Sequence, residues 1–178
     1  MNWELIIQRY KTNHRPRKEI ECDWFRQQPS FEDAVINASS ARNERGKRYS
    51  HQARITRKCI KEAGNLLLEQ CDELKSCSSF HELWRLVRGI LEPIHGAGEL
   101  YIYDTSLRLG ASLGLFPDRV YLHAGTRKGA KAFGLISDSG DWINQSELPG
   151  ALRELPPYEI EDILCIYKDK SLSPNACT

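Results

Sequence analysis

The amino-acid sequence predicts a mainly α-helical protein, a multi-helix single domain of 178 residues. Three observations lead to this fold class. Apolar residues recur at spacings of three and four, the period of one face of an α-helix. Serines stand where several helices would begin, and prolines or glycines stand where they would end. Neither an internal repeat nor a low-complexity segment interrupts the pattern.

Length and charge limit the function classes. A chain of this length can bury a sizeable core. The net charge is +1, so no global field attracts nucleic acid, and any basic surface must be local. No apolar run approaches the ~20 residues of a membrane span, and no signal peptide opens the chain. We therefore expect a cytoplasmic protein without a membrane partner.

The cysteines do not predict a metal site or a disulfide framework. None of the six is paired at the C-x2-C spacing of zinc sites; they are residues 22, 59, 71, 77, 165 and 177. Free thiols in a reducing compartment fit this pattern better than disulfides. We expect no metal and no cofactor.

Residues 1–78 are predicted to form helices around a basic loop. A first helix has an apolar stripe of Trp3, Ile6, Ile7 and Tyr10. Ser30 is a suitable N-cap for a helix over residues 31–43. Residues 56–77 carry one continuous apolar face, which predicts a single long helix.

The basic segment, residues 42–58, is the densest charge cluster in the chain. It contains seven Lys and Arg residues and a single carboxylate, Glu44. Its cations could hold backbone phosphates while Tyr49 stacks on a base. The candidate nucleic-acid-binding residues here are Arg45, Lys47, Arg48, Tyr49, His51 and Arg54. The alternative is a solvated loop between helices, in which His51 is an ordinary surface or packing histidine.

Residues 79–135 are predicted to contain two helices joined by a glycine turn. Ser79 would cap a helix at 79–91, which Pro93 would stop, and a second helix would run over 99–113. Gly96 and Gly98 lie between them. Glycines let backbone N–H groups approach a ligand closely, and the N-terminus of the second helix favours an anion. The turn could therefore bind a phosphate.

The sequence Ile94-His95-Gly96-Ala97-Gly98 resembles the apolar-x-Gly-apolar-Gly hairpin of the helix-hairpin-helix family, found in DNA-repair and recombination proteins. The resemblance covers residues 80–110. It implies a helix-hairpin-helix unit that binds nucleic acid, double-stranded DNA above all, through Gly96 and Gly98. In the alternative, the turn only packs two helices and the protein is a protein–protein interaction module. Residues 104–134 also resemble uncharacterised bacterial proteins, which implies no activity.

Asp118 is the candidate catalytic residue. The DNA glycosylases of this family carry an aspartate about as far beyond the hairpin as Asp118 lies beyond Gly98, and that resemblance makes Asp118 the carboxylate that stabilises a sugar cation. The chain departs from the family pattern in having Arg119 after the aspartate. It also has Leu100, which cannot form a Schiff base, at the lysine position. A base-excision enzyme is therefore the alternative to a binding protein.

The remaining residues supply weaker signals. The small residues Gly125, Gly129 and Ala130 predict a close helix contact or a second hairpin-like turn, and Arg127 and Lys128 add a second basic patch as candidate nucleic-acid contacts. The alternative is a plain helix with a solvated basic face. Asp104 and Arg108 are four residues apart, which predicts an intrahelical ion pair. Residues 136–178 are read as a loop and a short helix at 158–168. The apolar face of that helix is Ile160, Ile163, Leu164 and Tyr167.

Overall fold

The computed structural model describes residues 2–137 and 140–169. The chain forms two compact units. The terminal unit combines the residues up to Pro16 with those from Asp118 onward, and the central unit is Arg17–Pro117. These boundaries differ from the segment limits read from the sequence, 78/79 and 135/136. The segment predicted at 136–178 is described only in part, since residues 138–139 and 170–178 lie outside the described ranges.

The protein is mainly helical, as the sequence predicted. In chain order its helices are α1 (Trp3–Asn13), α2 (Arg15–Arg26), α3 (Phe31–Ser39), α4 (Arg57–Glu69), α5 (Cys71–Ser76), α6 (Phe80–Leu91), α7 (Glu99–Leu113), α8 (Ala124–Ala132), α9 (Gly150–Arg153) and α10 (Pro157–Tyr167). Two short strands are β1 (Arg119–Tyr121) and β2 (Trp142–Asn144), and 3-10 turns occupy Ser50–Gln52 and Gln145–Glu147. Within the described ranges, no helix has both the length and the apolar character to cross a membrane.

The central unit is organised around α7, which packs against α3 and α6. Eleven consecutive residues of α7, from Tyr101 to Ala111, are buried, so this helix is enclosed on all sides. It ends at Gly114, whose φ of 73° turns the chain back. The amide of Leu115 then donates to the carbonyl of Gly110 at 2.8 Å. This carbonyl, in the last turn, would otherwise have no hydrogen-bond partner within the helix.

The predicted pair of helices at 79–91 and 99–113 is confirmed by α6 and α7. The Ser79 hydroxyl caps α6 by accepting from the Glu82 amide at 3.2 Å. The Glu82 carboxylate accepts from Ser78, through both its backbone amide and its hydroxyl, each at 2.8 Å. Local capping thus defines the start of α6.

Two helix boundaries predicted from the sequence are wrong. The helix expected over 31–43 ends at Ser39, because Ala41 adopts a φ of 53° that no helix continues. The single helix expected over 56–77 is divided at Gln70, whose φ of −103° and ψ of 19° leave the helical region. The division lets Leu74 of α5 reach the core, where it is fully buried.

The terminal unit is built around α10, which packs against α8, β1 and α1. Strand β1 pairs antiparallel with β2, with Val120 opposite Ile143. The close helix contact predicted from Gly125 and Gly129 is confirmed, because a Cβ on Gly129 would lie 2.0 Å from the Leu164 carbonyl oxygen. The apolar face predicted for the helix at 158–168 is also confirmed, since Ile160, Ile163, Leu164 and Tyr167 of α10 are buried.

Candidate nucleic-acid interface

The first half of the basic segment is a tight loop with its own hydrogen bonds. Arg42 and Arg48 form an antiparallel bridge, and the Asn43 amide donates to the Lys47 carbonyl at 2.9 Å. The Asn43 side-chain oxygen accepts from the amides of Arg45 at 3.1 Å and Lys47 at 3.0 Å. An Asn side chain that bonds its own backbone in this way stabilises a turn. The loop tip therefore has a defined shape.

Most cations of the basic segment face solvent. Six of its seven Lys and Arg side chains are exposed: Arg42, Arg45, Lys47, Arg54, Arg57 and Lys58. The exception is Arg48, which is half-buried and donates to the Ile55 carbonyl at 2.8 Å. Of the predicted candidates, Lys47 and Arg54 are thus available to a ligand. Arg45 is exposed but paired with Glu44 at 3.2 Å, and Arg48 holds the segment together.

Tyr49 does not stack on a base. Its side chain is only 4 % exposed, and the guanidinium carbon of Arg108 lies 4.2 Å from the centre of its ring. The expectation of a base-stacking platform at this position is therefore wrong, because one face of the ring is already occupied by a buried cation. The ring of Tyr49 therefore supports the segment from within.

A buried polar network anchors the basic segment to α7. The Gln52 amide nitrogen donates to the Asp104 carboxylate at 2.6 Å, and the Gln52 oxygen accepts from Arg108 at 3.0 Å. Gln52 is buried, so both ends of its side chain are paired where an unpaired amide would be costly. His51 adds a contact of 2.9 Å to the same oxygen of Asp104, while 46 % of its side chain stays exposed.

Arg108 joins this network to α2. Its Nε donates to Glu21 at 2.8 Å, and Lys18 lies 3.7 Å from the other oxygen of Glu21. The predicted ion pair of Asp104 with Arg108 is present at 3.7 Å, but it is longer than the hydrogen bonds of Arg108 with Glu21 and Gln52. The buried guanidinium therefore connects three parts of the central unit rather than one helical turn.

The carboxylates of this network, Glu21 and Asp104, have the cations Lys18 and Arg108 as partners. Burial alone would raise the pKa of Asp104, but the His51 hydrogen bond and the charge of Arg108 outweigh it and hold this pKa at about 2. Burial also acts to raise the pKa of Glu21, and Lys18 and Arg108 together lower it below its usual value. Both carboxyls are thus ionised at neutral pH, as their hydrogen-bond donors require.

A cleft of about 310 Å³ lies between α2 and the basic segment. Its lining residues are Arg17, Ile20, Glu21, Asn43, Glu44, Arg45, Lys47 and Tyr49. The sequence identified Arg45, Lys47 and Tyr49 but missed the three residues from α2. Their spacing of three and four is a signal for a shared helix face, yet nothing in the sequence pairs that face with the loop.

The glycine turn between α6 and α7 is exposed at His95, Gly96 and Gly98. Gly96 has a φ of 95°, and a Cβ on it would lie 3.9 Å from Cys59 in the first turn of α4. The turn therefore lies beside the helix start that carries Arg57 and Lys58. Glu99 follows Gly98 directly, and its negative charge partly offsets the partial positive charge of the α7 N-terminus.

Asp118 lies in an open, ion-paired position. Its side chain is 64 % exposed, and both carboxylate oxygens accept from Arg119, at 2.9 Å and 2.8 Å. A catalytic carboxylate that stabilises a cation needs shielding from water. The glycosylase alternative requires that shielding, and this geometry does not supply it.

The second basic patch is committed to contacts within the terminal unit. Arg127 donates to the carbonyls of Leu122, at 2.7 Å, and Gly140. Lys128 forms an exposed ion pair with Asp169. These two predicted contact residues therefore have structural partners, and the surface they present is less cationic than the sequence suggests.

A buried cluster in the terminal unit resembles a metal site in composition. One ligand atom each from His123, Glu161 and Cys165 lies within 4.8 Å of the other two. The Gly125 amide donates to His123 Nδ1 at 3.2 Å, so Nε2 carries the proton and donates to Glu161 at 2.5 Å. A metal on Nε2 would displace that proton and the hydrogen bond. The cluster fits a helix cap with a buried hydrogen bond.

Comparisons of this chain with protein-family models, curated proteins and solved structures found no match.

Proposed function

We propose that this protein binds nucleic acid, with double-stranded DNA as the expected ligand, through the basic segment of its central unit. The observation that carries the proposal is the excess of positive over negative side chains in residues 42–58. Six exposed cations accompany one carboxylate in a chain whose net charge is +1. Backbone phosphates are the ligands that such a surface attracts without reading sequence.

The rigidity of the segment supports this proposal over a solvated loop. Gln52 and Arg48 fasten the segment from within, while the cations beside them point outward. A cationic surface that is already ordered loses less conformational entropy when it binds. Flexible surface charge would need no buried network beneath it.

The glycine turn is the second contact that we propose. Gly96 packs beside Cys59, so the turn and the cations Arg57 and Lys58 are neighbours. A phosphate held by the backbone of the turn would then lie near the start of α4, which carries those two cations. A cytoplasmic location is part of this proposal, as is a role in DNA repair, which rests on the helix-hairpin-helix resemblance.

Salt titration tests the proposal. Fluorescence anisotropy with a labelled DNA duplex should show affinity that falls steeply with salt, because each phosphate that the protein neutralises releases counterions. Replacement of Arg54, Arg57 and Lys58 by Gln should weaken binding and reduce the logarithmic salt slope by up to ~0.9 for each phosphate that is no longer neutralised. Affinity and slope unchanged in this variant would place the interface outside these residues, and no duplex binding by the wild type would favour the protein–protein interaction module instead.

A further inference from the structure

The buried hydroxyl of Tyr49 lies next to the carboxylate of Glu21, and both residues line the cleft between α2 and the basic segment. The Tyr49 hydroxyl forms no hydrogen bond of ordinary geometry with the described residues, although its side chain is 4 % exposed. A buried polar group in this state is costly unless something satisfies it. Burial and the charge of Glu21 raise the pKa of Tyr49, so the hydroxyl stays protonated and is a hydrogen-bond donor.

The uncommitted charge in the cleft is positive. Glu44 is paired with Arg45 at 3.2 Å, and Glu21 is paired with Arg108. In residues 2–137 and 140–169, neither Arg17 nor Lys47 forms an ion pair. Two cations without an ion pair, beside a buried hydroxyl donor, are groups that can bind a phosphate.

The rest of the cleft fits a single nucleotide. Ile20 lines it with a side chain that is 54 % exposed, which provides an apolar surface for a sugar or base. The volume of about 310 Å³ is at the small end of ligand sites. A duplex could not enter it, whereas one nucleotide at a strand end could.

We infer that this cleft binds the phosphomonoester of a nucleoside phosphate, at the end of a nucleic-acid strand. The inference rests on the proposed function, because the strand is the ligand of the basic segment. A phosphomonoester carries a charge of about −1.5 to −2 at neutral pH, whereas an internal diester phosphate carries about −1. Arg17 and Lys47 therefore favour the end of a strand over its interior.

The test compares one oligonucleotide with and without a terminal phosphate. The wild-type protein should bind the phosphorylated strand about tenfold more tightly, which is the scale of one charge-assisted hydrogen bond. Tyr49→Phe removes only the hydroxyl and should reduce this preference without lowering the melting temperature. Lys47→Gln should also reduce it. Arg57→Gln, outside the cleft, should weaken binding of both strands equally and leave the preference intact.

A nucleoside monophosphate is the second probe, and it separates the two proposals. Equal affinity for both strands in the wild type would overturn the cleft inference and leave nucleic-acid binding standing. Binding of the monophosphate alone, abolished in Lys47→Gln, would support the cleft and overturn the proposed function. No binding of either probe would overturn both.

Discussion

Arg108 is the residue on which the candidate interface depends most. It contacts Glu21 and Gln52 through hydrogen bonds and covers the ring of Tyr49. The electric fields of Glu21 and Asp104 raise its own pKa although burial acts to lower it. A fully buried guanidinium with these partners stabilises the packing of α2, α7 and the basic segment together.

Replacing Arg108 with Met should destabilise the protein by about 3–5 kcal/mol, because it leaves the buried Asp104 and the partly buried Glu21 without the cation between them. Urea unfolding measures this free energy. Arg88→Met is the matched control, since the Arg88–Glu92 pair is solvent-exposed and its removal should cost at most about 1 kcal/mol. Similar destabilisation in both variants would contradict a dominant role for the buried network.

Asp104 should make stability fall in acid. Its pKa is about 2 in the folded protein against an ordinary value of 3.8, so its stabilisation is complete above about pH 4 and disappears as pH falls through 2. The decrease amounts to about 2 kcal/mol. In Asp104→Asn, the unfolding free energy should fall less steeply between about pH 4 and pH 2 than it does in the wild type. An equally steep fall would assign the acid sensitivity to other groups.

These residues show what a sequence can reveal at this scale. The spacing of Asp104 and Arg108 predicted their proximity, because helical geometry is local. Their contacts with Glu21 and Gln52 join residues more than fifty positions apart, and no local rule connects them. Tyr49 was misread for the same reason. An aromatic residue among cations fits a stacking surface until its burial partner, Arg108, is known.

At the scale of elements, local signals were sufficient where helix ends depend on neighbouring residues. Ser79 and Pro93 bracket α6, and the turn after it follows from Gly96. The boundary at Gln70 was missed because the apolar pattern continues through it. There the core contact of Leu74 determines where the chain bends, and that contact is tertiary.

Close packing of α7 gives a matched pair of glycine variants. In Gly110→Ala, the new Cβ would lie 2.4 Å from the backbone oxygen of Leu115, which cannot move without opening the C-terminus of α7. We expect destabilisation by about 2 kcal/mol or more. Gly89→Ala in α6 meets no atom within 4 Å and should stabilise by up to about 1 kcal/mol. Thermal unfolding compares them, and a tolerated Gly110→Ala would refute the close contact.

The glycine turn can be tested without unfolding it. Gly98 has a φ of −77°, and a Cβ there meets no atom within 4 Å, so Gly98→Leu should still fold, with a small decrease in melting temperature because leucine is a poorer N-cap of α7 than glycine. If the turn binds a phosphate, the leucine blocks the backbone approach and weakens duplex binding. Glu99→Gln should strengthen it by removing a carboxylate beside the anion. Duplex affinity unaffected by both substitutions would restrict the proposed interface to the basic segment.

At the scale of the whole molecule, the sequence predicted the fold class but not the arrangement in two units. The terminal unit joins α1 to elements more than a hundred residues later along the chain. The Tyr10 hydroxyl, for example, donates a hydrogen bond to the Asp162 carboxylate at 3.0 Å. Helical periodicity locates the apolar face of α1 without naming its partner. The near-neutral total charge likewise conceals a concentration of cations in residues 42–58.

Location of charge, rather than its total, should therefore control binding. Lys11→Glu with Lys131→Glu changes two exposed residues of the terminal unit and takes the net charge from +1 to −3, since each substitution removes two charges. Arg54→Glu with Arg57→Glu gives the same total within the basic segment. The two proteins are thus matched in net charge.

At physiological ionic strength, the screening length is about 8 Å, so a duplex on the basic segment should respond to cations in contact with it. We expect the terminal-unit variant to retain its duplex affinity within about threefold and the basic-segment variant to bind at least about tenfold more weakly. Anisotropy at matched salt measures both. Equal weakening would mean that binding follows the global field of the protein, and the interface would then have to be sought outside residues 42–58.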